Sequence, residues 1–110
     1  KTQPSGNGDM VWAYSEGWTS GFYPGVLWQL YNLTQDTRWR DAATKMTAGR
    51  GVEARDTSTH DVGFMVFDSF GQGEVVGGDT SANYTATIVE AAHSLASRYN
   101  AKVGMTRSWG

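Results

Sequence analysis

A segment apolar almost all round, followed by one apolar on a single face, occurs twice in this chain about 42 to 43 residues apart. In the first occurrence Val26, Leu27, Trp28, Leu30, Tyr31 and Leu33 leave no polar stripe, as in a helix covered on every side, and Pro24 suits its first turn. Asp36 is placed to N-cap the next helix, where Trp39, Ala42, Ala43 and Met46 fall at i, i+3, i+4 and i+7. Arg38, Arg40, Asp41 and Lys45 take its opposite face, and Gly49 and Gly51 supply its stop. In the second occurrence Thr59-His60-Asp61 leads into Val62, Phe64, Met65, Val66, Phe67 and Phe70, with Gly71 and Gly73 expected to close the helix. Past Gly77-Gly78-Asp79, the stripe Tyr84, Ile88, Ala91, Ala92, Leu95, Tyr99 opposes Glu90, Ser94, Ser97 and Arg98. Gly21-Phe22 answers to Gly63-Phe64, and Asp36 to Asp79.

Buried and one-sided helices in alternation describe stacked αα-hairpins, with inner helices covered all round and outer helices covered on one side. Such hairpins bury their faces only against neighbours, so about three or more are needed, and two are present here. The expectation is an all-α chain that forms part of a larger helical array or toroid. A free-standing four-helix bundle competes, weakened by the number of large apolar side chains on the inner helices. Residues 1–17 read as a flexible lead-in, since Lys1 to Asp9 is rich in Gly, Ser, Asn and Pro, and residues 18–110 read as the helical domain. The opening at Lys1 rather than Met suggests a processed or trimmed chain.

Charge and composition exclude several function classes. Nine Lys and Arg against eleven Asp and Glu, a net charge of −2, offer no electrostatic footprint for nucleic acid and no polybasic patch for anionic lipid. No apolar run approaches membrane-spanning length. Without cysteine there is no disulfide scaffold, zinc-thiolate site or thiol nucleophile. The cluster Gly71-Gln72-Gly73-Glu74 lacks the preceding strand and the Gly-Lys-Ser/Thr of a nucleotide loop. His60 and His93 have no partners at metal-ligand spacing apart from the adjacent Asp61, so no metal is expected. The sequons Asn32-Leu33-Thr34 and Asn83-Tyr84-Thr85 fall in or beside helical segments and are set aside.

Five Trp in an aromatic content of 13% fit either a packed core or a sugar-stacking cleft. In an array with parallel inner helices, Glu16 to Gly25 and Thr59 to Phe64 would meet at one end, where a concave site would form. Asp61, at a helix N-terminus, is favoured as the carboxylate, which suits a base, nucleophile or electrostatic partner. Plain N-capping is its alternative role.

At these residues the sequence resembles a known family. The runs Trp18-Thr19-Ser20-Gly21-Phe22-Tyr23-Pro24-Gly25-Val26-Leu27-Trp28 and Ser58-Thr59-His60-Asp61-Val62-Gly63-Phe64-Met65, with the closing Arg107-Ser108-Trp109, are similar to the unsaturated glucuronyl hydrolases, family 88 of the glycoside hydrolases. The resemblance implies an (α/α)6 barrel of six inner and six outer helices. It implies removal of a terminal 4,5-unsaturated uronic acid from oligosaccharides left by polysaccharide lyases, with glycosaminoglycan-derived oligosaccharides as partners and no cofactor. An acid protonates the vinyl ether, water adds at C5, and the hemiketal collapses to release the remaining sugar.

The resemblance makes Asp61 one of two functional aspartates and His60 the histidine beside it. Trp18 and Trp109 match tryptophans of the substrate cleft, where indole would stack on the sugar and His60 would donate to its carboxylate. Tyr23 is a further candidate for substrate contact. Trp28 is read as core, Trp39 and Trp12 as packing, and Phe22, Phe64 and Phe67 as core. The family's second aspartate, its general acid and base, lies beyond Gly110, and neither Asp68 nor Asp79 is placed to replace it. The remainder of the catalytic domain is therefore an expected partner, and the 110 residues alone are expected to be inactive. A hydrolase for unsaturated rhamnogalacturonan products and a non-catalytic carbohydrate-binding module stay open. Localisation is undetermined, with periplasm or secretion ahead of the cell interior.

Overall fold

The computed structural model describes residues 2–4, 10–12, 16–78 and 83–108. A turn of 3-10 helix, Trp18–Gly21, runs into α1, Phe22–Thr34. The chain leaves α1 without a glycine. Gln35 itself takes the left-handed conformation at φ 55°, and its side-chain amide donates to the Tyr31 and Asn32 carbonyls, satisfying acceptors at the helix end. Asp36 then caps α2, Thr37–Ala48, its Oδ1 accepting from the Arg38 N–H at 2.9 Å, as the sequence predicted.

A 3-10 turn at Gly51–Arg55 leads toward the second inner helix. That helix opens as a nine-residue π-helix, Gly63–Gly71, in which the Gln72 N–H reaches Phe67 O five residues back, and continues as α3, Gln72–Val76. The expected stop at Gly71 and Gly73 is therefore corrected: the helix passes through both and ends at Gly77. Neither glycine terminates anything, because both are needed for close approach. A Cβ on Gly73 would press on the rings of Trp28 and Tyr84, and one on Gly71 on the ring of Phe67. The last helix, α4, spans Tyr84–Ala96. Tyr99, read as the end of its stripe, lies beyond it in β3 (Tyr99–Asn100), which pairs antiparallel with β4 (Met105–Thr106). Within the stretch read as a flexible lead-in, β1 (Thr2–Pro4) pairs antiparallel with β2 (Met10–Trp12). The Asp79 cap lies outside the described residues.

The two inner helices lie parallel, in a register the glycines set. Gly21 faces the Phe64 and Met65 carbonyls, Gly25 faces the Asp68 carbonyl, and the Gln29 side-chain amide donates to Gln72 Oε1. Outside them, α2 and α4 cover one flank, closing a core of Leu27, Trp28, Ala43, Ala54, Val62, Met65, Val66, Phe70, Tyr84 and Ala91. Trp28 is wholly buried, as expected, with its indole N–H donating to Thr47 Oγ1 at 2.9 Å and its ring edge-on to Tyr84. Ser94 Oγ donates to Ala54 O at 2.6 Å and ties α4 to the 3-10 turn.

The expectation that Phe22, Phe64 and Phe67 are core is corrected, since they remain 40, 46 and 56% exposed. Helical spacing identifies which residues share a face but not which neighbour covers it. Phe22 and Phe64, with Val26 and Leu33, stay exposed on the inner helices, while Phe67 borders a groove shared with Ile88, Ala91, Ala92 and Leu95 of α4 that leaves it half-exposed.

The sequence repeat equates Gly21 with Gly63, but the structure separates them. A methyl group at Gly21 would sit inside contact distance of two backbone carbonyl oxygens, whereas one at Gly63 would meet nothing within 4 Å. Gly21→Ala is expected to destabilise by about 3 kcal/mol, the upper range for forced overpacking. Gly63→Ala should change denaturant midpoints little; equal losses for the two variants would contradict the register described here.

Candidate active site

Asp61 stands two residues before the π-helix, where its backbone carbonyl accepts from the Met65 N–H at 3.2 Å. Its side chain is 13% exposed, and its two oxygens are engaged locally. Oδ2 accepts from Thr59 Oγ1 at 3.2 Å, and Thr59 Oγ1 in turn accepts the Asp61 backbone N–H at 3.0 Å. Oδ1 lies 3.2 Å from His60 Nε2. The carboxylate is thus turned to Thr59 and His60 instead of lying along the helix N–H groups, which favours a role other than plain capping.

His60 is held from its other side as well. Its Nδ1 is 2.8 Å from the Ser108 carbonyl oxygen, so the segment ending in Arg107-Ser108 reaches the Thr59–Asp61 turn across 48 positions of sequence. The same carbonyl accepts from Arg98 Nη2 at 2.8 Å. The sequence reading placed Arg98 only on the polar face of an outer helix and gave the Ser108 carbonyl no part in the site. Contacts to main-chain carbonyls leave no pattern in side-chain types, so nothing in the spacing of residues announces them.

Trp18, at the start of the first inner segment, is 53% exposed and meets Phe22 and Phe64 edge-on, with centroids 5.9 Å away in each case. Phe64 belongs to the helical turn that follows Asp61, so the structure brings Trp18 to the same end of the paired helices as the carboxylate. Tyr23 is exposed on the first turn of α1. Trp109 lies outside the described residues. Among the described residues, no three His, Asp or Glu side chains gather as a metal site would require.

Asp68 sits further along the π-helix in a groove of about 480 Å³ whose walls include Phe22, Val26, Gln29, Leu30 and Leu33. Burial holds its carboxyl above the ordinary value of 3.8. A raised native value means that the folded state favours the protonated form, so ionised Asp68 weakens the fold at neutral pH. Asp68→Asn is expected to raise the melting temperature at pH 7, with the advantage fading as pH falls to about 3.8 and below. An advantage that grew toward acid would refute this.

No protein-family model matches the chain. An unsaturated glucuronyl hydrolase from Formosa agariphila is 40% identical over 95 residues, which cover 86% of this chain and 24% of that protein. One from a Bacillus species is 33% identical over 84% of this chain and 25% of its own length. An unsaturated chondroitin disaccharide hydrolase of Streptococcus agalactiae is 34% identical over 84% of this chain and 24% of its own length. The crystal structure of an unsaturated glucuronyl hydrolase specific for heparin superposes with a TM-score of 0.85 at 33% identity, covering 99% of this chain and 30% of that one. The chain therefore spans about a quarter of the length of the curated relatives it matches.

Parallel inner helices backed by outer ones, with a carboxylate and aromatic rings at one end, place the chain among the αα-hairpin glycosidases, as part of an (α/α)6 barrel. It belongs to the unsaturated glucuronyl hydrolase family, family 88 of the glycoside hydrolases.

Proposed function

We propose that the protein carrying this chain removes a terminal 4,5-unsaturated uronic acid from glycosaminoglycan-derived oligosaccharides by hydrating the C4=C5 vinyl ether. The observation that carries this reading is the Asp61 carboxylate, fixed by Thr59 and His60 at the end of the paired inner helices that also bears Trp18 and Phe64. The names of the relatives, which include glucuronyl and chondroitin disaccharide hydrolases and a heparin-specific enzyme, supply the substrate class.

In this scheme a proton is delivered to C4, electron density from the ring oxygen supports positive charge at C5, and water adds there. The hemiketal then opens and releases the remaining sugar. Two carboxyl groups in different environments suit that sequence, one giving a proton and one stabilising charge or taking a proton from water. Asp61 is assigned the second of these roles. The proton donor is assigned outside these 110 residues, so the isolated chain is expected to show no turnover. Trp18, with Trp109 and Tyr23, is assigned to sugar contact through the apolar face of the ring.

The test follows ultraviolet absorbance of the conjugated C4=C5 bond while the protein in its full natural length acts on unsaturated disaccharides from chondroitin, heparin and hyaluronan. A decay of absorbance with at least one of them is expected. No decay with any would overturn the proposal.

A further inference from the structure

The guanidinium of Arg98, in the turn after α4, donates to three backbone carbonyls on two separate segments. Nη1 reaches Thr57 O at 2.6 Å, Nε reaches Arg107 O at 2.9 Å, and Nη2 reaches Ser108 O at 2.8 Å. The Arg107 N–H returns a bond to Arg98 O at 2.9 Å. Thr57 lies two residues before Thr59 and four before Asp61, so one planar cation ties the segment that carries the carboxylate to the segment ending in Arg107-Ser108. A guanidinium presents its N–H groups in a fixed fork, and three carbonyls met at once set the position of both segments.

Proton accounting extends the chain to Asp61. A carbonyl oxygen only accepts, so the contact between His60 Nδ1 and Ser108 O places a proton on Nδ1. Nε2 is thereby the ring nitrogen on the Asp61 side, 3.2 Å from Oδ1, and it donates there when the ring carries its second proton. The connected path is Arg98 to the Ser108 carbonyl, that carbonyl to His60, and His60 to Asp61. In this geometry both His60 nitrogens have partners within the protein.

We propose that Arg98 is a positioning residue for Asp61, acting through the Ser108 carbonyl and the position of the His60 ring. The inference rests on the functional reading above, in which Asp61 takes part in the chemistry. Arg98 touches no reacting atom; it sets where the carboxylate oxygen stands, and displacement of a reacting group by about 1 Å is enough for a ~100-fold loss of rate.

The test uses the full-length protein and the absorbance assay, with Arg98→Lys, His60→Asn, His60→Gln and the Arg98→Lys/His60→Asn pair. Lysine keeps the charge but cannot satisfy three carbonyls in one plane. Asn retains a donor near the Nδ1 position and Gln one near the Nε2 position. Arg98→Lys is expected to lower kcat about 10-fold and His60→Asn about 100-fold, each with KM within about twofold, as for groups acting on the chemical step. His60→Gln should retain more activity than His60→Asn. In the His60→Asn background, Arg98→Lys should add little, because both act through one path. A loss confined to KM, full multiplication of the two effects, unchanged kcat, or an Arg98→Lys protein that does not fold would each overturn the proposal. If the wild-type protein turns over no unsaturated disaccharide, the functional reading fails, and the path is judged instead from ring ¹⁵N shifts of His60. A proton on Nδ1 in the wild type and mixed tautomers in Arg98→Lys support the path, whereas identical shifts overturn it.

Discussion

Asp61→Asn in the full-length protein is expected to reduce kcat on an unsaturated disaccharide by about 10³-fold, within the range for loss of a general acid or base. The amide has nearly the shape of the carboxylate and keeps one oxygen for Thr59 or His60, so the fold and KM should change little. It carries no negative charge and neither takes nor releases a proton near neutral pH. A loss concentrated in kcat, with an unchanged melting temperature, assigns Asp61 to the chemical step. A variant within tenfold of wild type would remove Asp61 from the chemistry and leave it a structural partner of His60. A raised KM at constant kcat would make it a substrate ligand.

Trp28→Ala carries the largest expected loss of stability. The side chain is fully buried between α2 and the second inner helix, its N–H is matched to a hydroxyl that is itself fully buried, and Tyr84 meets its ring edge-on. Truncation of a large buried aromatic costs about 3–5 kcal/mol, which is much of the 5–15 kcal/mol typical of a folded domain. Trp28→Phe separates the contributions: it keeps most of the packing but strands Thr47 Oγ1 without its donor, for a loss of about 1–3 kcal/mol. Denaturant unfolding of the two variants checks both figures. A Trp28→Ala loss below about 1 kcal/mol would show that the ring is not the centre of this core.

The helical alternation and its period were legible in the residues because each follows from local side-chain chemistry. Asp36 caps α2 as its type and position predict, and Ala42, Ala43 and Met46 of the expected stripe pack on the core, whereas Trp39, read as packing, stays 37% exposed. The period of about 42 to 43 residues has a direct spatial meaning. Gln29 bonds Gln72 across 43 positions, so the repeat is the register in which the inner helices lie side by side. The family too was readable, because its runs are contiguous in sequence around Trp18 and Asp61.

Legibility ended where a residue's role depends on what lies across from it. Gly71 and Gly73 have the composition of a helix stop, yet the helix continues because Trp28 and Tyr84 occupy the space a side chain would need at Gly73. Phe22, Phe64 and Phe67 have the spacing of a core, yet Phe22 and Phe64 stay exposed on the inner helices and Phe67 is only partly covered along a groove beside α4. The π-helix has no local signal in the sequence. Its form accompanies the closeness of α1, whose Gly21 and Gly25 lie against the carbonyls of Phe64, Met65 and Asp68.

The site divides the same way. Periodicity, caps and contiguous motifs depend on neighbours a few residues away, and for that reason the sequence by itself determined the hairpin architecture, the family, and Asp61 with Trp18 as residues of interest. The surroundings of Asp61 depend on atoms distant in sequence. That His60 faces both Asp61 and Ser108, and that Arg98 holds Thr57, Arg107 and Ser108 together, was decided only by the tertiary structure, because a carbonyl oxygen is the same acceptor in every residue and only folding determines which donor it meets.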